Sequence, residues 1–397
     1  VTTYRGITWD HPRGKNALLA AASAAAASGG PSIEWEAHSL EHFESHPIDE
    51  LASRYDLIVL DHPHLGEALE KHSLQPMDAV VGAAQIERWS RESVGPSFDS
   101  YSADGYQWAL PLDAATQVAV HKPALLGAVP DTWDEVEALS AGAPVALSLA
   151  GPHAFLTFAS ICAAFGEPVG SGDGSAWLVS GATASRVLEL MRSIASRAPA
   201  GTESQNPIAL LERLADTDDI AYCPLVYGYV TYSSREVRFT DAPRAIAGGR
   251  RGSTIGGTGL AVSARATVTP ELVEHISWLL SAEAQCGFIP QHEGQPSARA
   301  AWLDAWVNRA AHDFYRSTLA TIEDSWVRPR FAGYIPFQSE ASALVRDAVS
   351  GRASLSATLP RLRNAFAASR SHEHVKNAAD GRRSDFSTAS ITERVHP

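Results

Sequence analysis

Gly105-Tyr-Gln-Trp-Ala-Leu-Pro-Leu-Asp113 leads through the β-rich run Thr116-Gln-Val-Ala-Val-His121 into Pro130-Asp-Thr-Trp-Asp-Glu-Val-Glu-Ala-Leu139. The first part reads as a short aromatic strand that meets Pro111 and then the acid Asp113, and the third opens a helix. Thr132 and Glu135 stand three apart, so the hydroxyl can cap one free backbone N–H while the carboxylate reaches back to another, as in a capping box. A strand, a proline-punctuated crossover and a sharply started helix in the middle of a long chain predict a hinge between two lobes.

Length and composition agree with two lobes. The chain has 397 residues, more than one simple core organises, and 45% apolar with 19% charged residues is ordinary for a globular protein. A formal net charge of −13 repels a phosphate backbone at long range, which excludes nucleic acid as a partner class. Cys162, Cys223 and Cys286 lack the C-x-x-C spacing of a zinc or redox site and read as small buried residues. No stretch of 18 apolar residues occurs. The alanine-rich run Ala17 to Ala27 has the look of a signal peptide's apolar region, but Arg5 to Gly14 before it reads as a strand and its loop. The run is therefore expected to be the first helix.

In order, the reading is strand (Tyr4 to Thr8), helix (Asn16 to Ala27), strand (Ser32 to Ala37), helix (Pro47 to Tyr55) and a continuous apolar strand at residues 56 to 60. A β-α-β-α-β series predicts a doubly wound α/β lobe whose ligands bind beyond the carboxyl ends of its strands. Two strands end in Asp-His-Pro: Trp9-Asp10-His11-Pro12-Arg13 and Asp61-His62-Pro63-His64. Side by side, they would make a ligand wall in which Trp9 supplies a flat face, Asp10 and Asp61 accept, and His11, Arg13 and His62 donate. The competing account is that Asp and Pro are there to make turns. His62-x-His64 with His11, and His38, His42 and His46 at spacings of four, raise the question of a metal; Pro47 breaks the second set, and neither a metal nor a cofactor is expected.

Beyond the hinge, Pro144 to Leu149 reads as a buried strand ending before His153, and Phe155 to Phe165 as a core helix. Leu188, Met191 and Ile194 mark an amphipathic helix, and Asn206-Pro207 starts another with a cap and a first-turn proline. Ile220 to Tyr229 reads as a strand that brings Tyr222, Tyr227 and Tyr229 forward as stacking candidates. Ser253-Thr-Ile-Gly-Gly-Thr-Gly-Leu-Ala-Val-Ser263 joins paired glycines, which permit close approach and hinge rotation, to a strand. It lacks the G-x-x-x-x-G-K-[ST] of a phosphate loop. Thr269-Pro270-Glu271 caps a helix, residues 337 to 347 and 355 to 366 form the last ones, and from Ser369 the apolar pattern stops, as for a loosely docked tail.

"G-Y-x-W-A-L-P" with "P-x-T-W-D-E-V", "G-G-x-G-L-A-V-S", Ser281-Ala-Glu-Ala-Gln285, Gly294-Gln-Pro-Ser-Ala-Arg299 and Trp326-Val-Arg-Pro-Arg330 resemble the crossovers and loops of the extracellular solute-binding proteins of ABC importers, family 1, which includes the carbohydrate binders. The resemblance spans about 360 residues. It implies a two-lobed periplasmic-binding-protein-like α/β fold (type II), with residues 1–113 and 260–312 in the first lobe, 114–259 and 313–368 in the second, and 369–397 as a tail. It also implies a small polar ligand (sugar, polyol or organic acid) in the cleft, ABC permease subunits as partners, and a monomer. The expected ligand contacts are Trp9, Asp10, His11, Arg13, Asp61, His62, Asp113, His153, Tyr222, Tyr227, Gly256, Gly257 and Thr258. If Val1 follows a removed leader, the protein is extracellular or periplasmic, with a surface lipoprotein included; if Val1 is the start, it is a cytoplasmic sensor or enzyme. Thiaminase-like enzymes share this architecture with a nucleophilic cysteine, and Cys223 comes nearest to that role.

Overall fold

The computed structural model describes residues 2–170, 177 and 179–370. Among these, seven strands form one sheet in the order β2-β1-β3-β9-β6-β7, with β8 also on β6. The strands are β1 (Thr3–Trp9), β2 (Ser32–His38), β3 (Leu57–Leu60), β6 (Leu110–His121), β7 (Tyr222–Tyr227), β8 (Arg238–Thr240) and β9 (Ile255–Val262). A separate two-stranded hairpin, β4 (Ser102–Ala103) with β5 (Tyr106–Gln107), precedes β6.

β1 pairs in parallel with both β2 and β3, as the β-α-β-α-β series predicts, so β1 and β3 end side by side at one rim. Alternation decides what each strand packs on. Leu57 and Val59 of β3 join Tyr4 and the helix residues Leu18 and Leu272 on one face, while Ile58 and Leu60 join Ile7, Ile48 and Leu65 on the other. Helix α1 (Pro12–Ala27) buries Ala17, Leu18, Ala21 and Ala22, so the alanine-rich run is a packed helix. It starts four residues earlier than the sequence suggests because His11 caps it and Pro12 occupies its first turn. Helices α3 (Ile48–Ala52) and α4 (Leu65–Glu70) cover the other side, whereas α2 (Leu40–Ser45), separated from α3 by Pro47, lays Leu40 and Phe43 against the same core as α1.

β6 and β9 connect the two halves. Leu110 to Thr116 of β6 pairs with β9, and from Gln117 onward the same strand pairs with β7 and β8. Pro111 does not break this twelve-residue strand, because the register shifts between Pro111 and Asp113. The other half packs its own core from the helices His153–Ala164, Gly181–Ala195 and Tyr334–Val349, together with Leu362 and Phe366 of the last helix, residues 355–370. The capping box at Thr132 and Glu135 forms, and Asn206 and Thr269 cap their helices as expected. Residues 144–149 correct the reading: the segment is buried and extended but meets β7 only through the bridge of Val145 to Tyr222 and the flanking bonds of Ala146 and Ala221. Apolar content alone does not make a strand where the neighbour offers a single pairing site. The tail beyond residue 370 lies outside the described residues. None of the described helices is long and apolar enough to cross a membrane.

Candidate functional site

Both Asp-His-Pro stretches lie at the shared rim of β1 and β3, and both are helix starts as well as wall residues. His11 Nδ1 accepts the Arg13 backbone N–H at 3.2 Å at the head of α1. Asp61 accepts the His62 N–H at 2.9 Å at the head of a single 3-10 turn. Turn chemistry and wall chemistry are therefore carried by the same residues. Folding sets Arg13 and Asp61, one from each stretch, into ion pairs with distant partners.

Arg13 donates from Nε to Asp113 Oδ2 at 2.6 Å and from Nη2 to Oδ1, and its Nη1 reaches the Gly228 carbonyl at 2.9 Å beyond β7. Both side chains are nearly sealed from solvent, Arg13 at 4% and Asp113 at 7% exposure. Burial pushes the Asp113 carboxyl up and the guanidinium opposes it, while Arg13 itself is held above its ordinary value by the carboxylate. Arg328, on the segment between the helices Leu319–Glu323 and Tyr334–Val349, donates from Nη2 to Asp61 Oδ2 at 2.5 Å and to the Ile255 carbonyl at 3.4 Å. Burial works against ionisation of Asp61, yet Arg328 and the His62 bond hold its carboxyl well below the usual range. Fork geometry suits guanidinium to both tasks.

Around these pairs gather histidine and tyrosine side chains. Burial, and then Arg328, lower the His62 pKa to about 4; its Nδ1 lies 3.1 Å from Asp61 Oδ1 without the alignment of a hydrogen bond. His11 is likewise lowered to about 4 by burial and by Arg13. From the other half, His153 approaches Glu44 of α2 at 3.3 Å and Tyr227 at 6.0 Å between ring centres. Tyr227 Oη, Tyr334 Oη, His64 Nδ1, both ring nitrogens of His62 and His153, and Arg328 Nε are buried and find no hydrogen-bond partner among the described residues. Buried polar atoms are rarely left in that condition, and here they converge between the two halves.

The structure thus brings together His11, Arg13, Asp61, His62, Asp113, His153 and Tyr227. Gly256 belongs with them, because a Cβ there would fall 2.5 Å from the Tyr227 ring. Five of the expected contacts stand elsewhere. Asp10 is exposed and pairs with Lys15, because helix α1 begins directly after it and turns it outward. Trp9 is buried, stacked on His11 at 5.2 Å and edge-on to Tyr229 at 5.9 Å, so its face is covered. Tyr222 sits at the far end of β7, opposite His121 in register, within the second core; four residues of strand separate it from Tyr227. Gly257 and Thr258 stand behind the Arg13 and Asp113 pair, opposite Ala114 and Asp113, and φ of +95° with a Cβ position 2.4 Å from the Asp113 carbonyl explains why glycine occupies 257.

Sequence reasoning passed over Glu44, Arg328, Tyr334 and Gln295, and weighed His64 only as a metal ligand. Arg328 lies inside a stretch already singled out as a crossover, which is the only signal it offered. Gln295 bridges the halves, donating to the Ala114 carbonyl at 2.7 Å and accepting the Val230 N–H at 3.1 Å. Ten residues earlier, Gln285 accepts the Ser297 and Ala298 N–H groups, so the two loop motifs form one support under the start of β6. Cys223 lacks the thiolate a nucleophile needs. It lies among Val120, Ala146, Leu211, Leu214, Ile220 and Val226, and burial pushes its thiol up to about 12. Among the described residues, no group of three or more His, Cys, Asp or Glu is placed to hold a metal.

No family model matches the chain, and no curated protein sequence does. Solved structures do. An ABC transporter solute-binding protein from Agrobacterium radiobacter in complex with ribitol is 19% identical, with a TM-score of 0.77 over 93% of this chain and 98% of that one. Maltose-bound MalE3 of T. maritima is 15% identical, with 0.76 over 92% and 99%. A solute-binding protein from Thermotoga lettingae bound with α-D-tagatose is 13% identical, with 0.76 over 92% and 100%. The chain therefore has the two-lobed α/β fold of the solute-binding proteins of ABC transporters.

Proposed function

We propose that this protein binds a small uncharged polyol or sugar between its lobes and delivers it to the permease of an ABC importer. On this reading the lobes comprise residues 1–113 with 260–312 and 114–259 with 313–368, the protein acts outside the cytoplasmic membrane as a monomer, and it performs no chemistry on its ligand. The observation that carries the reading is the convergence of unpartnered buried polar atoms of His62, His153, Tyr227 and Tyr334 between the two halves. Histidine and tyrosine side chains together supply donors and acceptors, as vicinal hydroxyl groups require. Both buried arginines are already matched by carboxylates, which favours an uncharged ligand over the organic acid. Ligands named for proteins of this fold, ribitol, D-mannitol, tagatose and maltose, are of the same chemical kind.

Calorimetric titration with that panel at pH 7.5 tests the reading. At least one member should bind. Tyr227→Phe should then weaken binding roughly ten- to a hundred-fold, the cost of about 1–3 kcal/mol for a ligand hydroxyl left unpaired in a dry cleft. Asp10→Ala should bind as the parent does. Absence of binding by the whole panel, or conversion of the bound compound seen by mass spectrometry, overturns the reading.

A further inference from the structure

α1 begins at the cleft rim with Arg13, and at 1.5 Å per residue its last turn lies about 20 Å away. There Ala21, Ala24, Ala25 and Ser28 follow one another at i, i+3, i+4 and i+7, a single helical face on which no side chain is longer than that of serine. The helix Pro270–Leu279 sets Glu271, Glu274, His275 and Trp278 against them at the same spacing. Leu18, Leu272 and Ile276 hold the two helices to one core. Between the two stripes the short alanine side chains leave a groove of about 420 Å³, with the turn Gly29-Gly30-Pro31 on its wall.

The groove joins an apolar floor to a negative rim. Glu271 and Glu274 are exposed and stand one turn apart on the same side, and among the described residues no lysine or arginine lines the groove. The last turn of α1 carries no basic residue, so the negative end of its dipole is left without the cation that commonly sits there. Ser28 and Gly30 already occupy the Ala24 and Ala25 carbonyls, so what the helix end offers is a field rather than a contact. His275 lines the floor at 7% exposure, and its Nε2 is buried without a hydrogen-bond partner. Burial lowers that ring to about 4, which leaves it unable to offset the carboxylates at neutral pH. Trp278, braced by Phe288 at 4.9 Å between ring centres, adds a half-buried aromatic wall.

We infer that this groove is a second binding site, separate from the interlobe cleft, for a small aliphatic amine of the diamine or polyamine class. The methylene stem lies along the alanine face and Trp278, and the ammonium group donates to Glu271 and Glu274 within reach of the indole's cation–π attraction. An anion is repelled by the rim, and an uncharged chain of the same length gains the apolar contact alone. None of the groove's residues belongs to the cleft, so the inference stands or falls independently of the ligand proposed there.

Calorimetric titration of the full chain with putrescine and spermidine, and with 1,4-butanediol as the uncharged counterpart of putrescine, in 150 mM NaCl at pH 7.5 tests this. Both amines should bind at one site per chain, and the diol should not bind. Glu271→Gln with Glu274→Gln should weaken amine binding about tenfold, a few-fold for each exposed carboxylate. Ala24→Lys places a tethered ammonium in the groove at an exposed, helix-tolerant position and should abolish binding. Asp216→Asn with Glu236→Gln removes the same charge from exposed positions elsewhere and should bind as the parent does. No binding of either amine at millimolar concentration, or equal binding of the diol, overturns the site. So does amine binding unchanged in the Glu271 and Glu274 double variant, whether it reflects diffuse attraction to a chain of net charge −13 or occupation of the cleft. Should circular dichroism show that the double variant does not fold, Glu274→Gln and Ala24→Lys decide by the same comparison.

Discussion

Replacing Asp61 by alanine should be the most damaging single change in the cleft. Arg328 is 3% exposed and takes its one carboxylate contact from Asp61 at 2.5 Å; its other bonds, to Gln338 Oε1 at 3.3 Å and the Ile255 carbonyl at 3.4 Å, are long and uncharged. Truncation leaves a buried guanidinium without a counter-ion, which costs about 3–5 kcal/mol. For a urea dependence of about 3 kcal/mol per M, the unfolding midpoint should fall by about 1–1.7 M. Arg328→Met in the same chain should recover much of the loss, because an apolar side chain of similar volume removes the stranded charge. The pH dependence has a definite sign. The folded carboxyl lies below its ordinary 3.8, so the pair's contribution is complete above pH 3.8 and fades only as the pH drops below it. The gap between parent and variant midpoints should therefore be constant from pH 5 to 8. A shift under about 0.3 M, which at this slope is less than about 1 kcal/mol, or a double variant no more stable than Asp61→Ala, would refute the argument that an uncompensated charge is what the pair prevents.

Gly257→Ala requires a Cβ at φ +95° and 2.4 Å from the Asp113 carbonyl, so it should cost at least about 2 kcal/mol and lower the melting temperature by about 4 °C or more, read by scanning calorimetry. Thr132→Ala removes one half of the capping box and should cost about 1 kcal/mol in urea unfolding, with Thr132→Ser restoring most of it. An aromatic disulfide reagent at pH 8 should modify Cys286 in the native protein and reach Cys162 and Cys223 only after denaturation; rapid native labelling of Cys223 would show that its apolar enclosure is wrong.

Local chemistry was legible wherever neighbouring residues settle it. The capping box at Thr132, the caps at Asn206 and Thr269, the packed alanine helix, and the parallel order of β1, β2 and β3 all follow from caps, propensity and periodicity along the chain. The glycine-rich segment at 253–263 and the stretch after Gly105 announced themselves as crossovers for the same reason. What the sequence could not decide was direction and partnership. Asp10 and Asp61 stand at matching places in two matching tripeptide contexts, yet one faces solvent beside Lys15 and the other is sealed against Arg328, 267 residues away. Tyr222 and Tyr227 lie on one strand, but the four residues of extended chain between them put the first in the far core and only the second beside His153. Arg13 looked like a free donor until folding set it on Asp113, a hundred residues on. Whether a charge is available to a ligand depends on which distant segment packs against it, and that is a property of the assembled lobes, because burial and counter-ion are both supplied by other parts of the chain.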